Sequence, residues 1–409
     1  MIWSIAWRNV WRNKTRSMVV VLAIATGLYG CVFMIALTKG LMKQKVDAVI
    51  NYEISDIQLH DPGFLEDESV LYNIGDYDSI KGILNELPAI LAWCPRVKAT
   101  GMISTAHAGN GVMINGIIPE KEKTVTRISQ TLDTGSYFTT RSRIPSILIS
   151  RKLAGELHAG AGKKVVLTTT ALSGETAQAL FRIEGIYKTS NELFDEMNVF
   201  VMAGDLLGMV SPDSAIVTEI AIRVGQDSDT TAATVPLREA FPGERLSVRS
   251  WKDLEPTLLA MVAMMNQFSY ILVLIILLAL AFGIVNTMLM VIMERIHELG
   301  MLMAIGMNRR RVFLMIMLET VFMSVTGALA GILISALTIA LTARRGINFA
   351  AWAEGMESMG YSAHVYPFVE NSFYIYIGIM VIMAAMLASL WPARKALKLQ
   401  PADAIREEM

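Results

Sequence analysis

The stretch "PTLLAMVAMMNQFSYILVLIILLALAFGIVNTMLMVIM", residues 256–293, decides the fold class of this chain because it contains no charged residue. As one helix it would be about 57 Å long, whereas the hydrocarbon core of a bilayer is about 30 Å thick. Its first third carries the polar residues Asn266, Gln267 and Ser269. The stretch therefore predicts a membrane-spanning helix that continues outside the membrane as a rigid stalk.

Three further apolar runs are each long enough to cross a bilayer. They occupy residues 18–37, 320–343 and 371–393, and none of them contains a charged residue. The whole chain of 409 residues is 53% hydrophobic and 18% charged, with a mean hydropathy of +0.45. Soluble domains are about one quarter charged. The composition therefore indicates a membrane protein with four spanning α-helices.

Basic residues mark the cytoplasmic ends of these spans. They precede the first run and follow the second and the fourth, at Arg8, Arg12, Lys14, Arg16, Arg295, Arg309, Arg310, Arg311, Arg394, Lys395 and Lys398. Both chain termini are therefore expected in the cytoplasm, with a large extracytoplasmic domain between spans one and two. A basic region followed by "LYGC", Leu28 to Cys31, also fits a lipoprotein signal, but the apolar run continues to Leu37, which favours an uncleaved span.

The predicted organisation has nine segments. They are an amphipathic N-terminal cytoplasmic helix (1–17), the first span and stalk (18–46), an extracytoplasmic α+β domain (47–255), the second stalk and span (256–293), a cytoplasmic helix (294–311), the third span (312–343), a short extracytoplasmic loop (344–370), the fourth span (371–391) and a cytoplasmic tail (392–409).

The extracytoplasmic segment alternates between strand and helix patterns and carries no recognisable catalytic motif. The glycine-rich "HAGAGKKV" has Leu157 and Lys164 where a phosphate-binding loop needs glycine and serine or threonine. The five histidines are scattered, and no cysteine or histidine cluster suggests a metal site. The net charge of −1 argues against nucleic-acid binding. We therefore expect a binding and handling domain without enzyme activity.

The segment "ERIHELGMLMAIGMNRRRVF", residues 294–313, resembles the signature of the MacB/FtsX-type (type VII) ABC transporter permeases. The matching positions are Glu294, Arg295, Glu298, Gly300, Ala304 and Gly306. The stretches "AWRNVWRNKTRS" (6–17), "LETVFMSVTGALAGILIS" (318–335) and "WPARKALKLQPADAIREE" (391–408) resemble the same family's other membrane segments. "ILISRKLAGEL" (147–157) and "RIEGIY" (182–187) resemble its MacB-like core domain.

This resemblance implies a mechanotransmission mechanism in the inner (cytoplasmic) membrane of a bacterium. The permease would pair with a second copy or a paralogue and with two separate ABC ATPase subunits. The six matched residues would form the ATPase-coupling site. ATP and Mg would bind in the partner ATPase, so no cofactor is expected in this chain.

The length of the chain and its extracytoplasmic insertion resemble the lipoprotein-releasing LolC/LolE-type permeases. On that resemblance the function is release of lipoproteins from membrane lipid to a periplasmic carrier or adaptor. A substrate groove is expected at Met261, Met264, Met265 and Phe268, although plain dimer packing explains these residues equally well. The alternatives are an efflux or peptide-export permease, an FtsX-like regulator that activates a cell-wall hydrolase, and an adhesive or sensory protein without an ATPase.

Two features of the third span predict contacts. Gly327 and Gly331 form a G-x-x-x-G pattern, which permits close helix approach either between subunits or within one subunit. Glu319 is an ionisable residue near the membrane margin, where a lone charge is costly. We expect it to pair with Arg311 or with another basic residue on the inner side.

Overall fold

The computed structural model describes residues 2–12, 14–75, 77–139, 143–225, 230–241 and 246–397. Its α-helices are α1 (Ile2–Arg12), α2 (Lys14–Ala48), α3 (Phe64–Asp67), α4 (Tyr77–Glu86), α5 (Pro119–Val125), α6 (Arg151–Glu156), α7 (Glu192–Met197), α8 (Ala203–Val210), α9 (Thr230–Ala240), α10 (Trp251–Leu254), α11 (Pro256–Glu294), α12 (Ile296–Ala304), α13 (Arg309–Arg345), α14 (Ala353–Glu357) and α15 (Asn371–Leu397). Its strands are β1 (Ile57–His60), β2 (Ile90–Ser104), β3 (Gly109–Ile117), β4 (Leu132–Gly135), β5 (Ser146–Ser150), β6 (Lys164–Thr170), β7 (Thr176–Tyr187), β8 (Asn198–Met202), β9 (Glu219–Val224), β10 (Ser247–Ser250), β11 (Ile347–Asn348) and β12 (His364–Val365).

The described residues form two compact units. The membrane unit draws on Met1–Met42, Val262–Asn348 and His364–Met409, and the extracytoplasmic unit on Lys43–Met261 and Phe349–Ala363. The membrane unit contains the four helices that are long and apolar enough to cross a bilayer, α2, α11, α13 and α15. This confirms the predicted class of four spanning helices with an α+β domain between the first and second spans.

The first and third spans approach each other closely because small residues line the contact. A Cβ atom added at Gly327 would lie 2.9 Å from Ile24 Cβ, and one added at Gly331 would lie 2.9 Å from the carbonyl oxygen of Ala25. The same face of α13 buries Ser324 and other small side chains. The structure thus places the two glycines in packing within one subunit.

Several helices end at other residues than the predicted segments do. The N-terminal segment is the 11-residue helix α1 followed by α2 from Lys14, instead of one helix over residues 1–17. The coupling helix is shorter than residues 294–311, and Arg309, Arg310 and Arg311 form the first turn of the third span. The fourth span continues as helix beyond residue 391 to Leu397, and residues 398–409 of the predicted tail lie outside the described part of the chain.

The extracytoplasmic unit contains a ten-stranded sheet within its described residues. The strand order is β10-β1-β9-β2-β3-β8-β5-β7-β4, and β6 pairs with both β2 and β7. Because β6 bridges these two strands, β2, β3, β8, β5, β7 and β6 close into a ring whose core includes Ile103, Ile114 and Leu167. A second core lies between β1, β9, α4 and α9 and includes Ile57 and Leu84.

The segment between the third and fourth spans is more structured than the predicted loop at 344–370. Strands β11 and β12 pair antiparallel at its base, and α14 lies between them. Residues Phe349–Ala363 belong to the extracytoplasmic unit. Lys188 Nζ lies 2.7 Å from Glu357 Oε2, and Lys45 Nζ donates to the carbonyl oxygen of Met359 at 2.7 Å. The segment is therefore held to that unit by side chains from two other elements.

Candidate functional site

The predicted coupling residues lie on a nine-residue helix, α12, that follows the second span after a single residue. Helix α11 ends at Glu294, Arg295 is the N-cap, and α12 begins at Ile296. At the other end Gly306 adopts a φ of +102°, a conformation that favours glycine. The Gly306 amide donates to Met303 and the Met307 amide to Leu302, which is the Schellman pattern of helix termination. Gly306 therefore stops the helix and fixes its length.

Three charged residues connect α12 to its neighbours. Arg12 Nη2 donates to both carboxylate oxygens of Glu298, at 2.5 and 2.7 Å. Arg295 Nε donates to Glu298 Oε2 at 3.0 Å. Because Arg12 ends α1, this pair ties the N-terminal helix to α12. The bonds from Arg12 and Arg295 hold the pKa of Glu298 below its ordinary value.

Glu319 completes the cluster from the third span. Arg295 Nη1 lies 3.2 Å from each carboxylate oxygen of Glu319. Asn9 Nδ2 donates to Glu319 Oε1 at 2.7 Å. Glu319 is buried and Arg295 is nearly buried, so removal of either partner would leave a charge in the interior without its counter-ion and would lower stability. Glu319 therefore pairs with a basic residue of the inner side, as expected, but with Arg295 and not with Arg311.

The N-terminal helix α1 lies against the third span α13. Ala6 and Val10 are buried, and α1 contributes them to the core of the membrane unit. Trp3 and Trp7 make edge-to-face contacts with Phe322 at ring-centroid distances of 5.9 and 5.3 Å. Both tryptophans stay substantially exposed. Exposed tryptophans of this kind suit the membrane–water interface.

One face of α12 presents apolar side chains to the exterior. Met301 is 59% exposed and Ile305 is 79% exposed. Met301 lies three residues after Glu298 and Ile305 lies four residues after Met301, so the three residues share a helix face. Among the other matched residues, Glu294, Ala304 and Gly306 are exposed and Gly300 is buried. We call Glu298, Met301 and Ile305 the docking face.

The predicted coupling residues thus have different environments. Arg295 and Gly300 face the membrane unit, and Glu298 shares an ion pair with Arg12. Sequence reasoning missed Met301 and Ile305 because they are apolar. Their spacing from Glu298 was the available signal.

The residues proposed for a substrate groove lie along α11. Met264 and Phe268 are exposed, whereas Met261 and Met265 are partly buried. Exposure of apolar residues on a membrane helix fits contact with lipid, with a second subunit or with a substrate. The groove remains a prediction.

The comparisons with known proteins match both halves of this architecture. The model of the MacB-like periplasmic core domain matches residues 17–240, more than half of the chain, and the model of the FtsX-like permease C-terminal region matches residues 270–401.

Two curated relatives agree with these matches. The lipoprotein-releasing system transmembrane protein LolC of Neisseria meningitidis is 21% identical over 96% of this chain and 94% of its own length. The macrolide export ATP-binding/permease protein MacB of Bdellovibrio bacteriovorus is 23% identical over 97% of this chain and 60% of its own length. The solved periplasmic region of MacB from Actinobacillus actinomycetemcomitans is 12% identical, covering 52% of this chain and 97% of that region, with a TM-score of 0.35. The chain therefore belongs to the family of FtsX-like permeases with a MacB-like periplasmic core domain, and it is a multi-pass ABC transporter permease of the LolC/MacB type.

Proposed function

We propose that this permease transmits the motion of a separate ATPase from α12 through α11 to the extracytoplasmic unit, and that it thereby releases lipoproteins from a bacterial inner membrane. The observation that carries the proposal is the direct succession of the two helices. A single residue, Arg295, separates the end of α11 from the start of α12. A helix of 39 residues is about 58 Å long. A displacement of α12 is therefore delivered to a rigid rod that is longer than a bilayer is thick.

The ion cluster supports this role because it links α12 to two further helices. Glu298 is bonded to Arg12 of α1, and Arg295 is bonded to Glu319 of α13. These bonds make α12 part of the membrane unit instead of a flexible loop. A force applied at α12 is then shared by its contacts with α1 and α13 as well as by α11.

The docking face supports an ATPase partner. Met301 and Ile305 are apolar and exposed, and three exposed arginines begin α13 a few residues later. A small apolar centre with a charged margin is the usual composition of a protein–protein contact. Family members are membrane subunits of ABC transporters, so the partner is an ABC ATPase that supplies ATP and Mg, in two copies per dimeric membrane unit.

Lipoprotein as the cargo is supported by the end-to-end match with LolC, whose name assigns it to a lipoprotein-releasing system. The MacB relative is matched over a smaller share of its own length. On this proposal the second membrane subunit is a further copy or a paralogue, and a periplasmic carrier accepts the lipoprotein.

The test is ATP-driven release from proteoliposomes that contain the permease, its ATPase and a fluorescent triacylated lipoprotein. Transfer to a soluble periplasmic carrier is measured with ATP and with a non-hydrolysable analogue. The proposal predicts ATP-dependent release of the lipoprotein and none of a soluble, unacylated version. ATP hydrolysis that is stimulated by a macrolide or a peptide, with no lipoprotein release, would establish an export permease instead.

A further inference from the structure

A cleft of about 440 Å³ lies within the extracytoplasmic unit and is separate from the coupling site. Strands β1, β2, β3, β8 and β9 contribute to its lining, together with residues of α3 and α7. Its size falls within the usual range for small-molecule sites, about 300–1,000 Å³. Every residue that lines it belongs to the same unit.

The cleft contains a buried hydrogen-bond acceptor that has no partner among the described residues. His60 lines the cleft and is 1% exposed. Gln58 Nε2 donates to the carbonyl oxygen of Ile54 at 2.8 Å, so Gln58 Oε1, 2.8 Å from His60 Nε2, accepts from that nitrogen. Nδ1 is therefore the acceptor nitrogen, and it has no hydrogen-bond partner in this part of the chain. Burial lowers the pKa of His60 to about 4, which keeps the ring neutral at pH 7.

The two cations that line the cleft are already neutralised. Arg96 donates to both oxygens of Glu122, at 3.0 and 2.6 Å, and to Glu219 Oε1 at 2.6 Å. Lys98 Nζ lies 2.6 Å from Glu219 Oε2. Burial alone would raise the pKa of Glu219, but Lys98 and Arg96 outweigh it and lower the pKa to about 2. These groups form a closed internal network and do not make the cleft a site for anions.

The remaining lining is acidic and apolar. Glu53, Glu68 and Glu255 line the cleft, and Glu53 Oε1 accepts from Asn191 Nδ2 at 2.8 Å. Leu193 also lines it and is 66% exposed. Leu65 and Met197 also line the cleft and are 41% and 58% exposed. Burial raises the pKa of Glu53 to about 7, and a cation bound beside it would favour its charged form. These carboxyl groups and a neutral acceptor lie beside exposed apolar side chains, so the cleft is complementary to a cation that carries a hydrocarbon group.

We propose that this cleft binds a protonated alkylamine, with the ammonium group at Glu53, Glu255 and His60 Nδ1 and the alkyl chain against the apolar rim. An ammonium has three donors and no acceptor, which matches two carboxylates and an imidazole acceptor. The ammonium is either that of a free amphiphilic amine or that of a lysine side chain in a bound polypeptide. The proposal does not depend on which cargo the permease releases.

The test is isothermal titration of the full chain in lipid nanodiscs with n-hexylamine, n-hexanol and hexanoate, which share one alkyl chain length. Hexylamine is expected to bind at least about tenfold more tightly than hexanol or hexanoate, because a hydrogen bond to a charged group contributes more than tenfold in affinity. N-acetyl-lysine amide represents the lysine side chain. If it binds more tightly than hexylamine, the ligand is a polypeptide lysine; if more weakly, it is a free amine.

Three variants separate the site from its surroundings. Glu255→Gln is expected to weaken hexylamine binding about tenfold by removing one charge-assisted contact. Leu193→Ser alters only an exposed rim residue and is expected to weaken hexylamine while leaving methylamine unchanged. Glu120→Gln is the matched control, because the Glu120 side chain is 82% exposed and pairs with Lys123 outside the cleft. Equal binding of hexylamine and hexanol, or unchanged hexylamine affinity in both Glu255→Gln and Leu193→Ser, would overturn the proposal.

Discussion

Replacing the apolar pair of the docking face by serine, Met301→Ser with Ile305→Ser, is expected to weaken ATPase binding without disturbing the fold. Both side chains project away from the membrane unit, with exposures of 59% and 79%. Neither takes part in the cluster formed by Arg12, Glu298 and Arg295. The double variant therefore removes apolar contact area and leaves the internal ion pairs in place.

The size of the effect follows from the area available for burial. Full burial of a large aliphatic side chain contributes about 1.5–3 kcal/mol. Scaled by the two observed exposures, the pair contributes roughly 2–4 kcal/mol to binding. Since about 1.4 kcal/mol corresponds to a factor of ten, the dissociation constant should rise about 30- to 700-fold.

The assay is the affinity of the purified ATPase for the permease in nanodiscs, measured by biolayer interferometry with and without nucleotide. Leu91→Ser is the matched control, because Leu91 is also an exposed apolar residue, at 72%, but lies on the extracytoplasmic unit. A double variant that binds the ATPase within twofold of the wild type would refute the docking face. Charge reversal at Glu298 is a poorer test, since it also breaks the ion pairs to Arg12 and Arg295.

Three further predictions concern stability. Glu319→Ala leaves the partly buried Arg295 with one partner fewer and should cost about 3–5 kcal/mol of stability, as measured by thermal unfolding in detergent. The Arg295→Met, Glu319→Met double variant should recover most of that loss, and an unchanged unfolding midpoint in Glu319→Ala would contradict the prediction. Gly331→Val should lower stability by about 1–3 kcal/mol, because the new Cβ would lie 2.9 Å from a carbonyl oxygen of the first span. Gly283→Ala is the control and should leave stability nearly unchanged, because the space around Gly283 is open. Equal effects of the two substitutions would contradict the close packing at Gly331. The pKa of His60 is lowered from 6.5 to about 4 in the folded protein, so between these pH values the unfolded chain binds a proton that the folded protein does not. Stability should therefore fall by up to about 3 kcal/mol as the pH drops from 6.5 to 4. His60→Gln should flatten this dependence of stability on pH above pH 4.5, and an unchanged dependence would show that another group causes it.

The membrane architecture was predictable because its signal is local. An uncharged run longer than a bilayer is thick defines a spanning helix without knowledge of any other residue. The extracytoplasmic strands were predictable for the same reason, since apolar and polar residues alternate along a strand that buries one face. The closure of the ring by β6 was not visible, because β6 must pair with β2 as well as with its neighbour in sequence β7, and the pairing of Leu167 with Ile103 depends on a partner distant in sequence.

The coupling site was only partly predictable. Arg295 and Glu298 are three residues apart, which suggests a pair on one helix turn. Arg12 and Asn9, however, are separated from their partners Glu298 and Glu319 by 286 and 310 residues, so no local pattern reveals them. The predicted coupling helix was too long because Gly306 was interpreted only as a position of the family motif. Its positive φ shows that it is the terminator.

The central claim is that α11 acts as a rigid transmission element, and a flexible insertion in that helix tests it most directly. Four residues, Gly-Ser-Gly-Ser, would be inserted between Leu259 and Ala260, two exposed positions of α11. ATP hydrolysis and lipoprotein release would be measured in the same proteoliposomes, with four alanines inserted at the same site as the helical control. The account predicts that the flexible insertion preserves hydrolysis and abolishes release, while the helical insertion retains more of it. Release at the wild-type rate through the flexible insertion would contradict the account.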